Sequence, residues 1–182
     1  MSFEILEQYP HRSPLDIGKS FGNIIKDKIV CDVGCGAGDL LECLRINGLC
    51  KDVKGIECDR RRYCPEREYI TLGNAYDGIP DADVYIVWVG DIDYENILRH
   101  IKHDAIIFYL DGSEENQTKF STYKGISFMN RTEYTYDETP YIKPEHMTDY
   151  LTHLKEMQKI NPNWTLAGKR FYCTYKWSPP PI

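Results

Sequence analysis

Residues 29–44 read IVCDVGCGAGDLLECL, and this run limits the possible fold more than any other stretch of the chain. Ile29, Val30 and Cys31 make an apolar segment that reads as a buried strand, ending at the acidic Asp32. Glycine then takes every second position, at Gly34, Gly36 and Gly38, before an amphipathic helix begins near Asp39. Strand, glycine turn and helix in this order form the first unit of an α/β sheet with a nucleotide-type cofactor site at the turn. Alternate glycines let the backbone turn sharply and approach a ligand with no Cβ in the way.

The spacing narrows the ligand. A dinucleotide fingerprint needs G-x-G-x-x-G; Gly34 and Gly36 meet it, but the third glycine position falls on Asp39. A phosphate loop of the G-x-x-x-x-G-K-[ST] kind is absent, since no lysine or serine follows. The pattern present is D-x-G-x-G-x-G, from Asp32 through Gly38. Asp32 and Asp39 would repel a pyrophosphate, whereas they suit a ligand that carries a positive amine and a sulfonium.

At these residues the chain resembles the class I S-adenosylmethionine-dependent methyltransferases, whose first motif is a hydrophobic strand followed by this loop. Three later segments follow in the family's order. The segment 53–59 (VKGIECD) is a short apolar strand ending at Glu57, nineteen residues past Gly38, where an acidic side chain binding ribose hydroxyls is expected. Cys58 follows, at a position that lies against the adenine in the family. The segment 69–77 (YITLGNAYD) runs from a strand into a Gly73-Asn74-Ala75 turn; Asn74 stands where aspartate is common, and its amide oxygen can still accept from the adenine amino group. The segment 82–91 (ADVYIVWVGD) matches the fourth strand, whose carboxyl end faces the transferred methyl group.

The resemblance implies an α/β fold with a doubly wound, mostly parallel seven-stranded sheet and helices on both faces. It implies S-adenosylmethionine as cofactor. Gly34, Cys35, Gly36 and Gly38 would bring backbone to its methionine portion, and Asp32 with Asp39 would hold the amine region. Glu57 would take the ribose, Cys58, Asn74 and Ala75 the adenine, and Trp88 would lie beside the cofactor. No catalytic residue is assigned. Trp88, as an apolar wall, and Asp91, as a proton acceptor, are the candidates, their alternatives being a core tryptophan and a helix-start residue. The donor is already activated, so positioning and water exclusion carry the chemistry and neither a nucleophile triad nor a metal is required. The sequence has no G-x-S-x-G and no H-E-x-x-H. An Asn/Asp-Pro-Pro-aromatic motif is also missing at 88–91, which disfavours N6-adenine chemistry.

At 182 residues the chain reads as one domain: an N-terminal segment 1–28, a cofactor-binding half 29–110 and a C-terminal half 111–182. Strands are expected at 29–33, 53–57, 68–72, 83–89 and 105–110, with helices near 38–47, 60–64 and 93–102. Leu15 to Ile25 reads as a short helix interrupted by Gly18 and Gly22. Beyond Leu110 the segments 123–136 and 164–177 read as long strands able to pair antiparallel, separated by a helix over 144–160. That helix departs from the family's usual hairpin, so 111–146 is expected to be an insertion or lid. Tyr134, Tyr136 and Tyr141 read as cross-strand packing or as lining of such a lid. His100 and His103 suit a helix C-terminus rather than catalysis.

A net charge of −6 argues against a generic nucleic-acid surface. Lys51, Lys54, Arg60, Arg61, Arg62 and Arg67 cluster around the second strand and read as a solvated face. Seven cysteines without a C-x-x-C pair, and no signal or membrane-spanning run, point to a reducing cytoplasmic setting. The expected activity is methyl transfer to a small-molecule or protein acceptor. RNA is the alternative acceptor, and a catalytically inactive binding or scaffolding subunit the alternative role. A nicotinamide-dependent oxidoreductase is a third reading, one that Asp39 in the third glycine position opposes.

Overall fold

A computed structural model describes residues 14–87, 92–110, 114–160, 162 and 165–181. The motif strand forms as Ile29–Val33 (β1), followed by the helix Asp39–Ile46 (α2). Helix α1, Pro14–Ser20, precedes them. Parallel strands Asp52–Glu57 (β2), Ile70–Leu72 (β3), Val84–Val87 (β4) and Ala105–Tyr109 (β5) follow, with the short helix Tyr94–Leu98 (α3) between the last two. The C-terminal part contributes helix Glu114–Phe120 (α4), strand Ile126–Asp137 (β6), helix Met147–Gln158 (α5) and strand Ala167–Trp177 (β7).

These strands make one seven-stranded sheet in the order β3-β2-β1-β4-β5-β7-β6. The first five are parallel, and β7 is antiparallel to both β5 and β6. Side chains alternate between two buried layers, as a pleated strand requires. Val30, Val84, Ile86 and Phe108 face α1 and α2, whereas Cys31, Tyr85, Val87, Ile107 and Tyr109 face α3 and α4. Burial on both sides explains why β4 reads as a continuous apolar run rather than an alternating one. Phe21 stacks on Phe108 at 4.3 Å between ring centroids, which fastens the segment after α1 to the sheet.

The two C-terminal strands pair antiparallel, as the sequence leads one to expect, and they outrun the sheet. Tyr109, the last residue of β5, lies opposite Cys173, so 167–172 of β7 pair with β6 alone. The resulting two-stranded ribbon stands past the carboxyl edge of the parallel strands by about 15–20 Å. One face of it is covered: Tyr134, Tyr136 and Tyr172 pack with Ile17 and Phe21, and Tyr172 donates to the Ser20 carbonyl at 2.9 Å. The segment 111–146 therefore includes an edge strand of the main sheet and the helix α4, which packs through Phe120. The Tyr141 side chain lies outside the described residues.

Several elements are shorter than their sequence pattern. The segment 60–64 forms turns, held by Asp59, which accepts from the Arg61 backbone at 2.9 Å and from its guanidinium at 2.8 Å. Helix α3 covers half of 93–102; Asp93 caps it by accepting from Asn96 N at 3.3 Å, and its end frees His100 to reach the Tyr76 carbonyl at 2.8 Å. Helix α1 stops at Ser20 because Gly22 takes a left-handed φ of 57°. The segment from Pro144 opens as a 3-10 turn, Pro144–His146, before α5 begins.

Candidate functional site

Strand β1 lies between β2 and β4, so the direction of strand order reverses at its carboxyl end. Such a switch point opens a crevice above the sheet, and ligands of doubly wound folds bind there. The loop at that point is held by backbone groups. Gly34 N and Cys35 N both donate to the Ile56 carbonyl, at 2.9 and 3.2 Å, and Gly38 N donates to the Cys35 carbonyl at 3.0 Å. Gly34, Gly36 and Gly38 have φ of 78°, 59° and 84°, a region that only glycine enters without strain.

Steric demand divides the three glycines. A Cβ on Gly38 would lie 2.6 Å from Ile70 Cδ1, so this glycine lets α2 start against β3. A Cβ on Gly34 or Gly36 would meet nothing within 4 Å, so those two leave open space beside the backbone. Gly55, inside β2, is a further requirement that the sequence pattern left unread: a Cβ there would stand 2.7 Å from Cys35 Sγ and 2.9 Å from Leu41 Cδ1. A glycine in mid-strand is the signal for such a close approach.

Glu57 ends β2 and is buried. Its Oε2 accepts from Gly36 N at 2.7 Å and its Oε1 from Asp59 N at 2.8 Å. Two motifs that lie twenty-one residues apart are thereby joined through one carboxylate. A carboxylate offers about four lone-pair positions, so each oxygen keeps acceptor capacity after these bonds.

Asp32 is buried at the end of β1, in register with Gly55 and Ile86. Burial pushes the Cys35 thiol up, and the Asp32 and Glu57 carboxylates push it further; burial and then Asp32 do the same to Cys31. Raised values favour the protonated thiol, the less nucleophilic form, at both positions. Asp39 is half exposed and accepts from Arg67 Nη1 at 2.9 Å; the same nitrogen donates to the Ala37 carbonyl at 2.6 Å. Arg67, counted in the sequence among the basic residues of a solvated face, thus braces the loop from β3's side. Arg61 pairs with Asp59 and Lys54 donates to the Asp81 carbonyl at 2.8 Å.

Past β3, Asn74 is exposed and its Oδ1 accepts from Tyr76 N at 2.9 Å, a local turn that sets the path of Ala75. Ala75 packs on the α3 side of the core, and Cys58 is exposed beside Glu57. Loop 34–38, Glu57 with Cys58, and Asn74 with Ala75 therefore stand at the carboxyl ends of β1, β2 and β3, three adjacent strands. Trp88 and Asp91 lie outside the described residues. His103 binds the Ala82 carbonyl at 2.7 Å and, like His100, serves a backbone group. Tyr134 and Tyr136 are buried in the layer beneath α1. Among the described residues no group of three His, Cys, Asp or Glu is arranged to hold a metal ion, and no helix is long and apolar enough to cross a membrane.

The chain matches no family model and no curated protein. Solved structures share its fold. A SAM-dependent methyltransferase from Archaeoglobus fulgidus superposes with a TM-score of 0.54 at 12% identity, over 97% of this chain and 100% of that one. The plantazolicin methyltransferase BpumL, solved with a triazolic desmethylPZN analog and SAH, gives 0.54 at 13% identity over 96% and 90%. A third, StiE O-MT residues 942–1257, gives 0.50 at 15% over 83% and 68%. The seven-stranded, mostly parallel sheet with helices on both faces is the class I methyltransferase fold.

Proposed function

We propose that this protein is an S-adenosylmethionine-dependent methyltransferase. One observation carries the reading: at the switch point of a methyltransferase-like sheet, the Glu57 carboxylate holds the backbone of Gly36 while Gly34 and Gly36 leave open space beside the backbone. The residues present fit this cofactor. A cradle without Cβ atoms accepts its methionine portion, and an anionic pair, Asp32 and Glu57, suits its cationic amine and its ribose diol. Cys58, Asn74 and Ala75 are placed on the next two strand ends, where the adenine would rest. When bound, the cofactor supplies a methyl group already activated by its sulfonium.

The chain's own contribution is to bind, orient and exclude water. The Cβ-free backbone of the glycine loop lets one end of the ligand approach closely, and the Glu57 oxygens, held by Gly36 N and Asp59 N, present fixed acceptors to the ribose. The acceptor would enter from the carboxyl ends of β4 and β5, bounded by the β6–β7 ribbon. Trp88 and Asp91 are retained as proposed residues of that side, and a small molecule or a protein side chain is the proposed acceptor. Calorimetric titration with S-adenosylmethionine and S-adenosylhomocysteine tests the reading, with saturable binding of both expected. No binding of either ligand to the wild-type protein overturns it. Transfer of labelled methyl to fractionated extract then separates small-molecule and protein acceptors from RNA, and binding without transfer to any fraction favours a scaffolding role.

A further inference from the structure

Strand β6 is the outer strand of the sheet, and among the described residues no strand pairs with its far edge; at its end, Asp137 N donates to Asp16 Oδ2 at 3.1 Å. Backbone amides and carbonyls on such an edge are pairing sites for another strand unless they are covered or interrupted. β6 is twelve residues long and exposes 44% of Phe128 and 49% of Met129. A register break between Phe128 and Asn130 makes Met129 an extra residue. Regular pairing along the outer edge therefore begins at Asn130, and the bulge stops it from running the whole strand.

From Asn130 onward the strand is complementary to itself. When two copies of one strand pair antiparallel across a two-fold axis, residues placed symmetrically about the axis stand opposite each other on the same face. With the axis at Thr132, Arg131 of each copy faces Glu133 of the other, and Asn130 faces Tyr134. Arg131 and Glu133 are both exposed and both project from the ribbon face turned away from Tyr134 and Tyr136. Moving the axis by one residue places Arg131 against Arg131 or Glu133 against Glu133, and like charges directly opposite are destabilising. The charges thus select one register out of the neighbouring ones.

Contacts within the chain hold these side chains on that face. The Arg131 guanidinium lies 3.9 Å from the centroid of the Phe171 ring, and Glu133 pairs with Lys169 at 3.1 Å. A partner's arginine arriving opposite Glu133 extends that pair into a row of alternating charge. A foreign strand would have to carry the same two charges in the same order; a second copy supplies them by symmetry.

We propose that the protein forms a two-fold dimer in which the β6 edges of two copies pair antiparallel about Thr132, joining their sheets into one continuous sheet. The glycine loop lies four strands away from this edge, at β1, so the dimer is independent of cofactor binding.

Sedimentation equilibrium of the full chain over the micromolar range tests this. A monomer–dimer equilibrium is expected for the wild type. R131E and E133R should each raise the dissociation constant by about tenfold or more, because each sets like charges opposite one another twice per dimer. The combined R131E/E133R variant reverses both charges and should restore wild-type association. A wild type that stays monomeric, or a double variant no tighter than the singles, overturns the proposal. Hydrogen exchange on the unmodified chain gives a reading that does not depend on any variant folding. Amides of 130–134 should exchange more slowly as protein concentration rises, and exchange that is independent of concentration also overturns it.

Discussion

Glu57 Oε2 accepts from Gly36 N at 2.7 Å, so the last residue of β2 fixes the turn that follows β1. Its other oxygen, held by Asp59 N, stops the carboxylate from rotating away. Glu57→Ala removes the acceptor of both backbone donors and is expected to cost about 2 kcal/mol of stability. On the proposed function, affinity for S-adenosylmethionine should fall by about tenfold or more in the same variant, because the ribose would lose its acceptors. Glu57→Gln keeps one of the two oxygens and should lie between. Thermal melts with and without ligand, together with calorimetry, read both effects. An alanine variant that melts and binds as the wild type does would refute the role given to this carboxylate.

The three loop glycines should respond differently to alanine. Gly38→Ala combines a left-handed φ with a Cβ placed 2.6 Å from Ile70 Cδ1, and about 2–4 kcal/mol of lost stability is expected. Gly36→Ala meets no atom and carries only the backbone strain, about 1–2 kcal/mol. Its larger effect should appear in cofactor affinity, where the added methyl occupies the open side of the loop. Denaturant titration ranks the stabilities, and equal losses at the two positions would contradict the steric distinction.

The glycine loop, β1, β2 and the position of Glu57 were legible in the sequence because each is set by local chemistry. Positive φ demands glycine, a doubly buried strand demands a run of apolar residues, and the βαβ unit fixes the distance to the acidic residue. What was not legible depends on partners far away in the chain. Asp39, placed by resemblance at the cofactor amine, is engaged by Arg67, twenty-eight residues on. The requirement at Gly55 depends on where Cys35 and Leu41 come to lie. Helix α5 between β6 and β7 gives a clear 3.6-residue pattern, yet nothing in that pattern tells that its two flanking strands form a ribbon projecting past the sheet. The pairing of β7 with both β5 and β6 is the long-range fact that decides it.

Thr174 is buried in β7, and among the described residues its Oγ1 has no hydrogen-bond partner. A buried hydroxyl without a partner retains its desolvation cost, whereas an isosteric methyl has none. Thr174→Val should therefore stabilise the protein by about 1 kcal/mol, a rise in Tm of roughly 2–4 °C for a chain of this size. A differential scanning measurement settles the sign, and a lower Tm would mean that the hydroxyl is satisfied in solution.

Acid should weaken the packing between α2 and β3. Glu42 Oε1 accepts from Arg45 Nη2 at 2.6 Å, and Oε2 accepts from the Tyr69 hydroxyl at 2.7 Å. The Arg45 hydrogen bond, followed by that from Tyr69, holds the Glu42 carboxyl down at about 2, below its ordinary 4.5. A group depressed on folding stabilises the native state above its unfolded value, and the contribution is lost as pH falls through its folded value. The wild type should thus be more stable than Glu42→Gln at neutral pH, and the gap should close between pH 4.5 and about 2. Both bonds are on a partly exposed surface, so solvent screening keeps the gap small. Melting curves across that interval check it; a gap that does not change with pH would assign the effect to packing.

Helix α5 is fastened to the ribbon by a buried carboxylate. Glu138 Oε2 accepts from the Tyr150 hydroxyl at 2.8 Å, while Arg170 Nη1 approaches Oε1 at 3.5 Å and its guanidinium lies over the Tyr136 ring. Tyr150 and Ile142 are the buried apolar residues of this satellite cluster, with Met147 and Leu166 packed at its margin. Such a small apolar contact leaves the hydroxyl as a main determinant of how firmly the helix is seated. Tyr150→Phe keeps the ring and deletes one donor to a buried charge, a loss of about 1.5–3 kcal/mol confined to this end of the molecule. Hydrogen exchange should show faster exchange across 147–158 with the amides of β1 and β2 unchanged, since the cluster shares no residue with the central sheet layers. Uniformly faster exchange would show instead that α5 belongs to the same cooperative unit as the parallel strands.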